Sequence, residues 1–253
     1  MKFVAIIPAR YASTRFPGKP LALLNGKTII QHVYQRAKQA LEAVYVATDD
    51  ERIAQHVRSF GGKVVMTSTT HSSGTDRCQE AYTYIQEKEG NFDVVVNVQG
   101  DEPFIAQQQI QALMACFEEP QTDIATLIKP FEATDDFSAL ANPNTPKVVI
   151  DIQGYALYFS RSIIPFLRNV EQSQWLQQNT FYKHIGIYAY RTEALQRITQ
   201  LPVSPLEAAE SLEQLRWLEA GLHIKTSITE VETIGIDTLE DLIKAEAYLQ
   251  NKH

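Results

Sequence analysis

Phe3-Val-Ala-Ile-Ile7, followed at once by Pro8-Ala-Arg-Tyr-Ala-Ser-Thr-Arg-Phe-Pro-Gly-Lys19-Pro20, decides the fold. The five apolar residues read as a buried strand. The loop behind them holds three cations, Arg10, Arg15 and Lys19, together with Ser13, Thr14 and Gly18. Like charges crowded into one loop repel unless an anion sits among them. A loop after the first strand of an α/β sheet lies at the sheet's carboxyl edge, where ligands bind. The stretch therefore reads as a polyphosphate cradle, against the alternative of a solvated basic turn.

Outward from this loop, strand and helix signals alternate. Apolar, β-branched runs at 3–7, 43–47, 63–66 and 93–98 predict strands, and the segments 28–40, 50–59 and 74–87 predict helices. Ile29, Ile30, Val33, Tyr34 and Ala37 recur at helical spacing. Such alternation implies right-handed βαβ units and a mostly parallel sheet with helices on both faces. A helix near 106–117 and the strand Ile124–Ile128 continue it. The rhythm changes after Pro130. Lys147–Ile150 and Tyr155–Phe159 read as a hairpin around Asp151–Gly154. A Gln-rich segment at 171–179 reads as a loop or short helix, and His184–Tyr190 as a strand. Residues 130–190 are thus expected to form an antiparallel insertion on a single 1–253 domain, and to offer a dimer surface. A helix from Ser204, with Ser204 and Glu207 as a capping box, a strand near 223–228 and a helix over 238–249 complete the chain.

Bulk properties narrow the function. A formal net charge of −7 argues against a dedicated nucleic-acid binder, which presents a basic face. No apolar run is long enough to span a bilayer, and the N-terminus does not read as a signal peptide, so a cytoplasmic location is expected. Cys78 and Cys116 fall in predicted helices and lack zinc-ligand spacing. Gly26-Lys27-Thr28 is not a P-loop, because position 21, where that motif needs glycine, is Leu. Gly26 is expected in a turn and Thr28 as a helix cap.

Further constellations carry chemistry. In Val96-Asn-Val-Gln-Gly-Asp-Glu-Pro103, Asp101 falls just past a central strand, on the same edge as the basic loop. There it either holds Mg²⁺, which needs only one or two carboxylates plus substrate oxygens, or caps a helix. Gly100 permits close backbone approach. Asp237, in Gly235-Ile-Asp237, precedes the last helix. It is either an ordinary helix-start Asp or a second carboxylate for the same metal. Thr67-Ser-Thr-Thr-His-Ser-Ser-Gly-Thr-Asp-Arg77 is dense in hydroxyls. Ser73, Gly74 and Thr75 suit a base or ribose, and Arg77 a carbonyl or phosphate, against the alternative of an ordinary Ser/Thr loop with an N-cap. Arg161, Lys183 and His184 are cations suited to an acidic sugar, although a lone His is more often structural, and Glu213 and Gln214 either suit sugar hydroxyls or form an exposed helical face.

Pro8-Ala-Arg-x-x-Ser-Thr-Arg-Phe-Pro-Gly-Lys-Pro-Leu21, His71-x-Ser-Gly-Thr-Asp-Arg77, Val96–Pro103, Lys183-His-Ile-Gly-Ile-Tyr188 and Gly235-Ile-Asp237 occur in one order. Together they resemble the 3-deoxy-manno-octulosonate (Kdo) cytidylyltransferase family, across essentially the whole chain. The resemblance implies a Rossmann-like fold of the nucleotide-diphospho-sugar transferase type. It implies Mg²⁺-dependent transfer of CMP from CTP to Kdo, an acidic eight-carbon sugar, for lipopolysaccharide synthesis, by a cytoplasmic homodimer. On that basis Arg10, Lys19, Asp101 and Asp237 are the expected catalytic residues, with Asp101 and Asp237 as metal ligands. Pro8, Ala9, Arg10, Arg15, Lys19, Ser73, Gly74, Thr75, Arg77 and Gln99 are expected to hold the nucleotide. Gln99, Arg161, His184, Tyr188, Glu213 and Gln214 are expected to hold the sugar. The rival readings are transfer to 8-amino-Kdo or sialic acid, and a non-catalytic nucleotide-binding protein on the same fold.

Overall fold

A computed structural model describes residues 1–12, 15–71, 73–231 and 235–250. Ser13 and Thr14 of the basic loop lie outside the described residues. The chain begins with β1 (Phe3–Ala9), β2 (Leu23–Leu24), β3 (Lys27–Thr28), α1 (Ile29–Ala40), β4 (Val44–Thr48) and α2 (Glu51–Ser59). It continues through β5 (Lys63–Met66), α3 (Gly74–Glu89), β6 (Val94–Asn97), α4 (Gln107–Ala115), β7 (Ile124–Pro130) and α5 (Phe137–Ala141). Then come β8 (Lys147–Ile150), β9 (Ala156–Ser160), α6 (Trp175–Gln178), β10 (Tyr182–Arg191), α7 (Thr192–Ile198) and α8 (Pro205–Glu210). It closes with α9 (Glu213–Glu219), β11 (Ile224–Ile228) and α10 (Leu239–Gln250). Two compact units result. One comprises 1–111, 189–199 and 233–253, the other 112–188 and 200–232.

In the first unit β6, β1, β4 and β5 lie side by side in parallel. Ile6 pairs with Asn97, Ala9 with Thr48, and Thr48 with Met66. The carboxyl ends are therefore in register, and the loops after these strands leave from one edge. Val4 to Ile7, Val46, Ala47 and Val94 to Val96 have no solvent exposure. Continuous apolar runs are what a parallel sheet covered on both faces requires. The apolar stripe of α1 is buried as its spacing predicts. Thr28 caps that helix, its Oγ1 accepting the Gln31 N–H at 3.3 Å. Asn25 and Gly26, at φ 48° and 79°, turn the β2–β3 hairpin, a pair of left-handed positions that Asn-Gly suits.

In the second unit β11 pairs with β7 in parallel, Ile224 opposite Ile124. β8 runs antiparallel to both β10 and β9. Asp151 turns the β8–β9 hairpin, its Oδ1 accepting the N–H groups of Gln153 at 2.9 Å and Tyr155 at 2.8 Å. Phe131, Leu140, Trp175 and Phe181 form a small core of their own. The strands bracketing the expected insertion, β7 and β11, belong to this unit and not to the first.

Two expectations need correction. The helix from Ser204 is not continuous. Its capping box is present, but Ser211 turns left-handed at φ 51° and divides it into α8 and α9. Between β10 and α8 lies α7, which the sequence reading left blank. It follows β10 directly, and its N-cap, Arg191, makes no side-chain capping bond.

Candidate active site

The first unit builds a cleft of about 290 Å³ at the carboxyl edge of its sheet. Every residue expected to hold nucleotide lines it except Thr75, which is buried in the first turn of α3. His71, Pro20 and Gly100 line it as well. A Cβ on Gly100 would lie 2.6 Å from the Pro8 carbonyl oxygen. Only glycine lets the loop after β6 lie this close to β1.

One wall is basic and the other acidic. Lys19 stands between two carboxylates, its Nζ donating to Asp101 Oδ2 at 2.7 Å and to Asp237 Oδ1 at 3.1 Å. Its side chain is only 12% exposed. Arg15 Nη2 reaches Asp237 Oδ2 at 3.1 Å. Asp101 and Asp237 are 136 positions apart in sequence (237 minus 101). A backbone bond joins their loops, the Ile236 N–H donating to the Asp101 carbonyl at 2.9 Å. Asp241 then fixes the turn into α10, accepting from the backbone N–H groups of Asp237 and Thr238 and from Thr238 Oγ1.

Lys19 shows that this pair of carboxylates favours a cation. The donor set consists of two carboxylates facing a polyphosphate-sized cleft. That suits Mg²⁺, which completes its octahedron with water and substrate oxygens. Among the described residues no cluster of three or more His, Cys, Asp or Glu offers a full protein cage.

Two further charged groups belong to this edge of the sheet, one lining the cleft and one following Asp101 in sequence. Arg77 is 3% exposed. Its guanidinium donates to Asp49 Oδ2 at 2.8 Å and Thr67 Oγ1 at 2.6 Å, so it ties the loops after β4 and β5 together where it lines the cleft. Glu102, beside Asp101, is pushed up to about 8 by burial and then by the Asp101 charge. Neither Asp49 nor Glu102 stood out in the sequence, since acidic residues next to strand ends and turns are common.

The chain is similar to known proteins along most of its length. The description "Cytidylyltransferase" belongs to the family model that matches residues 4–228. A 3-deoxy-manno-octulosonate cytidylyltransferase of Bacteroides thetaiotaomicron is 64% identical over 252 residues, covering 100% of both chains. The chain belongs to the 3-deoxy-manno-octulosonate cytidylyltransferase family. A solved CMP:2-keto-3-deoxy-manno-octonic acid synthetase complexed with CTP superposes with a TM-score of 0.88 at 44% identity, covering 100% of each chain. A cytidylyltransferase from Leptospira borgpetersenii serovar Hardjo-bovis shares the fold at a TM-score of 0.64 and 17% identity, over 99% of this chain and 87% of that one.

The expected sugar ligands of this family member, other than Gln99, lie in the second unit. Phe159 and Tyr188 flank His184, with ring centroids 5.0 and 5.4 Å away, and Trp217 lies edge-on to Tyr188 at 5.0 Å. Gln214 is buried, with its Nε2 unpartnered. Glu213 accepts from Arg216 Nη2 at 2.8 Å. Arg161 is held hard: Nε donates to the Glu210 carbonyl at 2.6 Å, Nη1 to that of Pro143 at 2.9 Å and Nη2 to that of Ser211 at 3.2 Å. The Arg161 carbonyl in turn accepts from Nζ of the buried Lys147 at 2.6 Å.

His184 is not the cation its sequence context suggested. Burial pushes its imidazole down to about 3, and Thr126 Oγ1 lies 3.1 Å from its Nε2. A neutral imidazole offers a hydrogen bond, not a charge. Between pH 6.5 and about 3 the unfolded chain binds a proton here that the folded chain does not, so stability falls as pH drops through that window. The loss between pH 6.5 and 5.5 should be about 1 kcal/mol. Thermal melting across this range should show a shallower acid slope for His184→Asn than for the parent. Parallel slopes would contradict the assignment.

Proposed function

We propose that this protein transfers CMP from CTP to the anomeric hydroxyl of Kdo, releasing pyrophosphate. The observation that carries this reading is the cleft itself, in which Arg10, Arg15 and Lys19 face the Asp101–Asp237 pair within a chain that belongs to this family. Arg10, Arg15 and Lys19 would bind the triphosphate and offset charge as pyrophosphate departs. Such preorganised charge, with in-line positioning, supplies most of the catalysis in phosphoryl-type transfers. Asp101 and Asp237 would hold Mg²⁺, which neutralises phosphate charge and makes a coordinated hydroxyl more acidic. A hydroxyl made more acidic in this way requires no dedicated side-chain base, and Asp101 would be the group to accept its proton if one is used. Ser73, Gly74, Arg77 and Gln99, with the backbone at Ala9 and Arg10, would surround the cytidine. Arg161, His184, Tyr188, Glu213 and Gln214 would hold the sugar, with His184 acting as a neutral hydrogen-bonding partner.

On this reading the protein works as a cytoplasmic homodimer and feeds lipopolysaccharide synthesis. Among the described residues no helix is long and apolar enough to cross a membrane. Light scattering on the purified chain tests the dimer.

Pyrophosphate release tests the reaction, with CTP and a panel of Kdo, 8-amino-Kdo and sialic acid, with and without Mg²⁺. Kdo is expected to give the highest kcat/KM, and activity to vanish without the metal. A preference for another sugar would overturn the Kdo assignment. CTP binding with no pyrophosphate from any sugar would leave only a nucleotide-binding protein.

A further inference from the structure

The two ends of the basic loop meet. The Gly18 N–H donates to the Tyr11 carbonyl at 2.9 Å. Gly18 is left-handed at φ 73°, and a Cβ there would meet the phenol end of Tyr11 at 3.1 Å. The Tyr11 ring thus packs against the loop's own exit. The guanidinium of Arg52 lies on the same ring, 3.4 Å from its centroid. Arg52 is itself fixed by Asp50, with Nε donating to Oδ1 at 3.0 Å and Nη2 to Oδ2 at 2.6 Å. Asp50 is anchored in turn, because its Oδ1 also accepts the Arg52 backbone N–H at 2.9 Å and caps α2. Neither Tyr11 nor Arg52 lines the cleft.

Resting on the nucleotide reading above, we infer that Tyr11 and Arg52 are positioning residues for the CTP phosphates. Their stack closes the neck of the loop and so sets the directions of Arg10, Arg15 and Lys19. The physical need is plain. These three cations repel one another, and a loop left to spread must be reordered each time an anion binds, which subtracts from affinity. The latch does that ordering in advance. It calls for arginine, because a planar guanidinium can stack on a ring and grip a carboxylate with two parallel bonds at once, whereas an ammonium cannot. The geometry runs from the helix cap at Asp50, through Arg52 and Tyr11, to Gly18 and the neighbouring Lys19.

A purely electrostatic role for Arg52, as one more positive charge near an anion site, makes a different prediction. Arg52→Lys keeps the charge and removes the stack. The measurement is calorimetric titration of the full chain with CTP in the absence of sugar, alongside the Michaelis constants for both substrates. Arg52→Lys and Tyr11→Leu are each expected to weaken CTP binding about fivefold, the range of an exposed cation–π contact. Tyr11→Phe, which keeps the ring, should restore it. The double variant Tyr11→Leu/Arg52→Lys should bind no more weakly than Tyr11→Leu alone, since the shared stack is already gone. The KM for the sugar should not move.

Arg52 is 60% exposed, so its variants should fold, which circular dichroism checks. An Arg52→Lys chain that binds CTP as tightly as the parent overturns the clamp, as do losses that multiply in the double variant. An equal rise in the sugar KM does the same. A parent chain that takes up no CTP overturns the functional reading and the clamp with it. A parent that binds CTP beside unaffected variants overturns the clamp alone.

Discussion

Turnover should fall by about 10²- to 10³-fold when Asp101 or Asp237 is replaced by Asn, the range seen when one preorganised charge is removed from a transition state. Each substitution keeps the shape of the side chain and removes its charge. Asp101 and Asp237 are 32% and 48% exposed, so the fold should tolerate the change, with melting temperatures close to the parent. The loss should come with weaker Mg²⁺ binding in the presence of CTP, read by calorimetry. Either carboxylate alone leaves the metal one anionic ligand short, so the double variant should be little worse than either single one. Near-normal turnover of either variant at limiting Mg²⁺ would show that the pair does not share a catalytic metal.

Lys19→Met should act on the site's two kinds of ligand in opposite directions. Its ammonium lies 2.7 Å from Asp101 and 3.1 Å from Asp237, where a metal held by both carboxylates would have to compete with it. Unit charges about 4 Å apart interact by about 4 kcal/mol at an effective dielectric of 20. Even a fraction of that decides which cation stays. Removing the ammonium should tighten Mg²⁺ binding to the nucleotide-free protein by about tenfold, which corresponds to about 1.4 kcal/mol. The same variant should bind CTP more weakly and lose turnover by about 10²-fold, because a phosphate ligand is gone. Metal titration without nucleotide, followed by CTP titration, separates the two effects. Unchanged metal affinity in the free variant would mean that Lys19 merely rests against the acids.

Much of this site was legible in residue types at strand ends. The run Phe3–Ile7 and the cations behind it announced both a buried strand and a phosphate loop. The same logic put Asp101 on the matching edge, since parallel strands carry their following loops to one side. Thr28 and the Ser204–Glu207 pair were legible for a more local reason. Capping is a matter of one hydroxyl and the next turn of backbone. Where local signals were weak, the reading failed. Helix α7 is short and runs straight on from β10 with no side-chain cap, and the break at Ser211 depends on a left-handed backbone at a residue that does not demand it.

His184 was misjudged as a cation because charge is a property of surroundings. Only the folded chain brings Phe159 and Tyr188 against the ring, where desolvation disfavours its charged form. Tyr11 and Arg52 escaped notice because their partnership joins a loop to the first turn of α2, and neither residue alone marks a site.

The sequence by itself determined the α/β alternation, the family and the residues able to carry charge into a nucleotide site. The family follows from the resemblance carried by the motifs in their order, and the rest from periodicity and side-chain chemistry, which need no knowledge of distant neighbours. The tertiary structure alone decided that Lys19 bridges Asp101 and Asp237, with their loops joined by the bond from Ile236 to Asp101. Charge interactions depend on distance in space, and residues 136 positions apart (237 minus 101) become neighbours only when the sheet edge and the start of α10 have folded together.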